Sequence, residues 1–288
     1  MAISAAQVKE LRVKTGAGMM DCKKALTEAD GDFQKAIEIL RKKGASVAAK
    51  RAEKTANEGM IITKISDDKK SGIILEVNCE TDFVAKSDDF VNFANLVVDA
   101  IESNEPKNVE ELIALKFDGK NIEEELSAII GKIGEKIEIS RFKIEKAENG
   151  ILVDYIHHGS KLGVLIKADN VSDKTDEFSE LLKDIAMQVA AMNPVCVYRK
   201  EVSKETIEKE MEIYKEIARK EGKPEQILEK IATGKLNKYY QENCLSEQAF
   251  VKDNAKTVNT LIDEFNKANS TDAKLALFHR FHLSDENK

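Results

Sequence analysis

Phe83 stands alone as an aromatic among charges in Glu80-Thr81-Asp82-Phe83-Val84-Ala85-Lys86, and Met19-Met20 opens a second run rich in lysine. Neither run holds a nucleophile with a base; what they offer is apolar contact framed by charge. Four histidines form two pairs, His157-His158 in a polar turn and His279 with His282 near the end of the chain. A metal centre needs further converging ligands and groups that orient them, so solvated or hydrogen-bonded surface histidines explain these pairs better. Cys22, Cys79, Cys196 and Cys244 are scattered without a CxxC pair, which points to reduced, mostly buried thiols rather than a zinc site or disulfide framework. The sequence has no GxxxxGKS/T, no GxGxxG after a strand, no GxSxG and no HExxH, the motifs that would announce nucleotide or hydrolytic chemistry. Acidic residues abound, yet a single sequence pairs none of them as acid and base. The expectation is a protein that acts by binding, with no catalytic residue, no metal and no cofactor.

Phe83 lies seven residues before Phe90 and would join that helix's buried stripe if the helix began early. Ser87 and Asp88 are good N-caps, so the helix is expected to begin after Phe83 and leave its ring on the preceding loop. Spacing alone leaves both placements open. Met20 lies about 200° around its helix from Cys22, on the face with Lys23, Lys24 and Thr27, while Met19 falls at the core margin. An exposed Met beside lysines suits an adaptable contact with an apolar partner patch; a surface Met without a role is the alternative.

The elements that must position these residues are legible in part. The 288 residues allow about two domains with ample core. Lys plus Arg total 45 against 52 Asp plus Glu, a net charge of −7, which disfavours nucleic acid as a direct partner. The amino terminus lacks the apolar stretch of a secretory signal and no segment reaches membrane-spanning length, so a cytoplasmic protein without a membrane partner is expected. Residues 4 to 43 read as three short helices, with Ser4 and Gln7 as a capping box, breaks at Gly16 and Gly31, and Gly44 closing the unit. The Ala- and Lys-rich stretch 45 to 57 reads as a solvated helical linker from which this small domain hangs.

A weak duplication follows. Gly59 and Gly72 stand 13 residues apart, and so do Gly150 and Gly163. Each pair frames a hairpin of β-branched residues, followed by an amphipathic helix led by Phe90 or by Phe178. The repeating unit is ββα, and the first copy carries three extra residues between second strand and helix, at the turn that holds Phe83. Residues 137 to 145 and Leu275 to Leu283 read as strands. Residues 202 to 240 read as an antiparallel coiled-coil hairpin, with Ile207, Met211, Tyr214 and Ala218 on one helix, a break at Gly222-Lys223-Pro224, and Ile227 and Ile231 on the other. The fold class is α+β: a three-helix amino-terminal domain and linker over 1–55, core half one over 56–148, and core half two over 149–288, interrupted by the hairpin at about 200–242.

The runs Leu11-Arg12-Val13-Lys14-Thr15-Gly16-Ala17-Gly18-Met19-Met20-Asp21-Cys22-Lys23-Lys24-Ala25-Leu26 and Glu76-Val77-Asn78-Cys79-Glu80-Thr81-Asp82-Phe83-Val84-Ala85-Lys86 resemble the signature runs of the bacterial translation elongation factor Ts family. The likeness extends through Tyr155-Ile156-His157-His158-Gly159, the hairpin and Gln248-Ala249-Phe250-Val251. It implies a UBA-like amino-terminal domain, a duplicated core and a coiled-coil insert. It further implies a guanine nucleotide exchange factor that binds elongation factor Tu, in its GTPase domain and a second region, with 2:2 assembly open. Thr81, Asp82, Phe83 and Val84 would dislocate the partner's Mg2+, and Arg12, Met19, Met20, Lys23 and His158 would belong to the docking surface. Two readings compete: a chaperone-like module whose helical domain captures peptides, for which Phe83 would be dispensable, and an enzyme on the duplicated core, which would need a pocket with converging titratable groups.

Overall fold

Ser4 begins the first helix reciprocally: its hydroxyl accepts from the Gln7 amide while the Gln7 side chain accepts from the Ser4 amide. The computed structural model describes residues 3–171 and 174–285. Helix α1 (Ala5–Thr15) ends at Gly16 in the left-handed region, and α2 (Met19–Glu28) follows. Asp32 then caps α3 (Phe33–Arg51), its carboxylate accepting from the Gln34 and Lys35 amides. Leu11, Cys22, Ala25, Leu26 and Ala36 form the core of this unit.

The first core half contains β1 (Glu58–Ile65), β2 (Ser71–Cys79), a one-turn α4 (Asp82–Ala85), α5 (Asp88–Asn104), α6 (Val109–Ile113), a tiny hairpin of β3 (Lys116–Phe117) and β4 (Lys120–Asn121), α7 (Ile122–Ile133) and β5 (Ile137–Lys146). The second contains β6 (Gly150–Ile156), β7 (Leu162–Asp169), α8 (Thr175–Met192), α9 (Lys204–Lys220), α10 (Glu225–Asn243), β8 (Ala249–Phe250), β9 (Asp253–Thr257), α11 (Val258–Asn269) and β10 (Lys274–His282). Two three-stranded antiparallel sheets result, ordered β1-β2-β5 and β10-β7-β6, beside the two-stranded pairs β3-β4 and β8-β9. The repeat is thus longer than ββα, because each half also returns a third strand to the far side of its central one. Gly59 faces Asn78 and Gly150 faces Asp169, the same offset in both hairpins.

The sheets meet through residues that the repeat makes equivalent, Ile61 and Ile74 from one and Leu152 and Leu165 from the other. Gly72 and Gly163 lie beneath these side chains: a Cβ at Gly72 would come 2.9 Å from Leu165 Cδ1, and one at Gly163 2.5 Å from Ile61 Cγ2. Glu76, buried on β2, accepts from Arg141 Nε of β5 at 2.7 Å. The same guanidinium reaches Asp285 at 2.8 Å and covers the Phe281 ring at 4.1 Å, so one buried charge is neutralised while β5 is tied to the end of the second half.

Gly44 does not close the amino-terminal unit. Helix α3 runs on to Arg51, because Gly44 is buried where α3 crosses α7. A Cβ on Gly44 would stand 2.6 Å from the Ser127 carbonyl oxygen, and one on Gly131 would stand 2.7 Å from Gly44 Cα. Glycines here let two backbones touch. Val47 and Ala48 pack on the first core half and Arg41 pairs with Glu124 at 2.9 Å. Residues 45–51 of the stretch read as a solvated linker are therefore the last turns of a docked helix, and the helical unit is seated on the core rather than hanging from it.

Helices α9 and α10 pair antiparallel, turning at Gly222, and Pro224 caps α10 instead of entering its first turn. Ala218 on α9 and Leu228 and Ala232 on α10 are buried, whereas Ile227, expected on the seam, is exposed. Leu228, Ile231 and Ala232 form the three- and four-residue stripe that packing selects. No helix among the described residues is long and apolar enough to cross a membrane.

Candidate functional site

The extra residues of the first copy form α4, so Thr81-Asp82-Phe83-Val84 is a helical turn rather than a loop. Its boundaries follow from two hydroxyls. Thr81 Oγ1 accepts from the Val84 amide, and Ser87 Oγ accepts from the Phe90 amide to start α5 separately. Two caps within a few residues split the run into two helices, and that break releases Phe83 from the Phe90 stripe. Val84 and Ala85 pack on the first core cluster, while Phe83, on the opposite side of the turn, is 83 % exposed.

The turn is held from behind by long-range partners. Glu135, just past α7, accepts from both the Thr81 amide (3.1 Å) and the Thr81 hydroxyl (2.8 Å). Glu80 accepts from the Lys136 amide at 2.6 Å and from Arg51, the last residue of α3, at 3.3 Å. Lys86 bonds Asp82 at 2.8 Å, and this hydrogen bond, aided by the charges of Lys86 and Lys161, holds the Asp82 carboxyl below the usual range. Beneath the turn, Cys79 donates to the Thr81 carbonyl oxygen, and burial pushes its thiol up to about 12. It is an inert packing group.

Glu135→Ala is expected to loosen this turn without unfolding the chain. Losing two charge-assisted bonds should speed amide hydrogen exchange at Phe83 and Val84 about tenfold or more, with little change in the strands. Unchanged exchange at those amides would show that Glu135 does not hold the turn.

The other expected surface residues lie on two neighbouring elements. Arg12 and Lys23 are exposed, Met20 is 64 % exposed, and Met19, expected at the core margin, is 57 % exposed at the open start of α2. Val13, which sequence reasoning passed over, is the most exposed apolar residue of that unit, and with Arg12, Gly16 and Lys132 it lines a shallow cleft. Lys132 also bonds Asp89 in the first turn of α5 at 2.7 Å, so the end of α1 approaches the start of α5, next to α4. His158 is exposed in the turn between β6 and β7. That turn adjoins α4: Ser160 accepts from the Ile61 amide, and Lys161 bonds Glu58 at 2.6 Å while contributing to the field at Asp82.

Neither histidine pair gathers further ligands among the described residues, where no group of three or more His, Cys, Asp or Glu is placed to hold a metal ion. His157 meets the Tyr155 hydroxyl, His279 bonds Glu145, and His282 accepts from the Ser284 amide. Cys22, Cys79 and Cys244 are buried, and Cys196 is half-buried. The arrangement offers an apolar ring on a braced turn, framed by paired charges and flanked by a Met- and Lys-bearing helical unit.

Comparison with known proteins fits this layout. The sequence model of the family described as elongation factor TS matches residues 80–285. An elongation factor Ts of Chlorobaculum tepidum is 50 % identical over 285 residues, covering 98 % of each chain. That of Chloroherpeton thalassium is 47 % identical over 288 residues and 99 % of each chain, and one of Clostridium botulinum is 48 % identical over 285 residues, 98 % of this chain and 93 % of its own. With a family match over most of its length and relatives this similar from end to end, the chain belongs to the elongation factor Ts family of translation factors.

Proposed function

We propose that this protein is a non-catalytic guanine nucleotide exchange factor, which binds elongation factor Tu·GDP in the cytoplasm and promotes GDP release by disturbing the partner's Mg2+ and phosphate site. The observation that carries the reading is Phe83, a phenyl ring 83 % exposed on a turn anchored by Glu135 and Glu80. An exposed aromatic on a braced support can enter a partner without first paying the entropy of ordering its loop. Mg2+ demands near-ideal octahedral geometry, so moving the groups that hold its waters by about an ångström weakens nucleotide binding strongly. Asp82, with its charge already matched by Lys86, would flank the ring at that site. Thr81 and Val84 would fix its height, the one as cap and the other as core anchor. Arg12, Met19, Met20 and Lys23 would dock the helical unit, His158 would contact the partner beside α4, and the helical hairpin would supply a second contact region.

Coupling between factor and nucleotide is reciprocal: whatever factor weakens GDP, GDP weakens the factor equally. The protein would therefore accelerate exchange without selecting GTP. Stopped-flow release of a fluorescent GDP from elongation factor Tu tests this directly. The wild type should accelerate release at catalytic concentration; release at the spontaneous rate would overturn the proposal. Met20→Ala should raise the half-saturating concentration about fivefold with the plateau rate retained, as expected of a docking contact remote from the nucleotide.

A further inference from the structure

Cys196 and Cys244, far apart in the chain, are brought side by side by the backbone. The Val195 amide donates to Asn243 O at 2.9 Å, Leu245 to Cys196 O at 2.9 Å and Ser246 to Val197 O at 3.0 Å. In this short parallel pairing the two cysteines are direct partners, and their sulfurs lie 3.6 Å apart. Everything between them is the α9–α10 hairpin and its leads, so the contact stands at the root of that arm, where the chain leaves the core and comes back. Neighbouring strands lie about 4.8 Å apart, inside the Cα span a disulfide tolerates. The sulfurs need to close by only about 1.5 Å, within the reach of small χ1 rotations.

We propose that Cys196 and Cys244 form a reversible oxidation site, whose disulfide clamps the root of the helical arm. Cys196 is half-buried and Cys244 fully buried, which sets the order of events with a low-molecular-weight disulfide as oxidant. The Cys196 thiolate attacks one sulfur of the oxidant, forming a mixed disulfide and releasing one small thiol. Cys244, after losing its proton, attacks the Cys196 sulfur and releases the second. The protein gives up two protons and two electrons, and the oxidant is reduced to two thiols. Burial pushes both thiols up, Cys244 to about 12; their mutual hydrogen bond opposes this at Cys196 and adds to it at Cys244, with the charges of Glu201 and Glu247 raising Cys196, Glu247 raising Cys244 and Arg199 lowering it. Oxidation is consequently slow near neutrality and faster as pH rises. Cys22 and Cys79 donate to backbone carbonyl oxygens of Ala17 and Thr81 and serve as internal controls.

The inference stands apart from the exchange reading and is tested on the full chain with oxidised glutathione at about pH 8.5, followed by alkylation, intact mass and peptide mapping. The expected product keeps two of its four cysteines alkylatable, Cys22 and Cys79, yields a Cys196–Cys244 linked peptide, and returns to four on reduction. In Cys244→Ser the reaction should stop with glutathione on Cys196, and in Cys196→Ser it should not begin. The oxidised protein should show slower amide exchange at 195–204 and 240–246 than the reduced one. Four free thiols after oxidation, a persistent glutathione adduct in the wild type, or a link through Cys22 or Cys79 would overturn the site. A disulfide that leaves exchange at the arm root unchanged would overturn the clamp.

Discussion

Phe83→Ala should leave the protein folded and cut its stimulation of GDP release by about 30-fold or more at saturating factor. Burying a phenyl ring removes roughly 150 Å2 or more of apolar surface from water, worth about 3–4 kcal/mol at 25 cal/mol per Å2. Even with half of that spent on binding both nucleotide states equally, about 2 kcal/mol remains for the nucleotide-displaced state, a factor of about 30. In the free protein the ring is 83 % exposed, so its truncation should cost within about 0.5 kcal/mol of stability. Thermal unfolding and stopped-flow release separate the two contributions. Unimpaired release would remove Phe83 from the mechanism and assign the displacement of nucleotide to other contacts of the same factor. A melted variant would return the ring to the core, against its observed exposure. Phe83→Leu, which keeps an apolar wedge of smaller reach, should fall between alanine and wild type.

The duplication was legible because its signal is local: two pairs of glycines at one spacing, each framing β-branched runs. Gly72 and Gly163 carry that signal for a reason the sequence hides, since each sits beneath a side chain from the other sheet. The exposure of Phe83 was half legible. Ser87 pointed to a late helix start, but nothing local showed that Thr81 would cap a separate turn or that Val84 would take the inward position. Glu80, Arg51 and Glu135, which brace the turn, were invisible because their partners come from α3 and the end of α7. Gly44 misled for the same reason. Glycine ends helices so often that a local reading assigns it a stop, whereas here it serves a contact with Gly131, remote in sequence. The Cys196–Cys244 contact likewise joins residues on either side of an entire hairpin.

Gly131→Val should undo the seating of the helical unit while sparing the unit itself. The new Cβ would lie 2.7 Å from Gly44 Cα and 3.5 Å from Gly44 N. These are backbone atoms and cannot rotate away, so α3 and α7 must separate. Overpacking of this kind typically costs about 1–3 kcal/mol, and the valine's further methyls add to it. The core of Leu11, Leu26 and Ala36 lies elsewhere, so α1 and α2 should keep their protection while amide exchange over 44–51 accelerates about tenfold or more. The consequence should reach the candidate site, because α3 ends in Arg51, which holds Glu80 in front of α4. Displacing the helix would remove that brace and shift Arg12 and Met20 relative to Phe83. A rise in the half-saturating concentration together with a fall in the plateau release rate is therefore expected, in contrast to Met20→Ala, which should change only the first. Gly131→Ala, with a single added methyl, should produce a smaller shift of the same sign. If 44–51 stayed as protected in Gly131→Val as in the wild type, the glycine crossing would not be what holds the two parts together, and the coupling between docking surface and wedge would have to run through Lys132 and Asp89 instead.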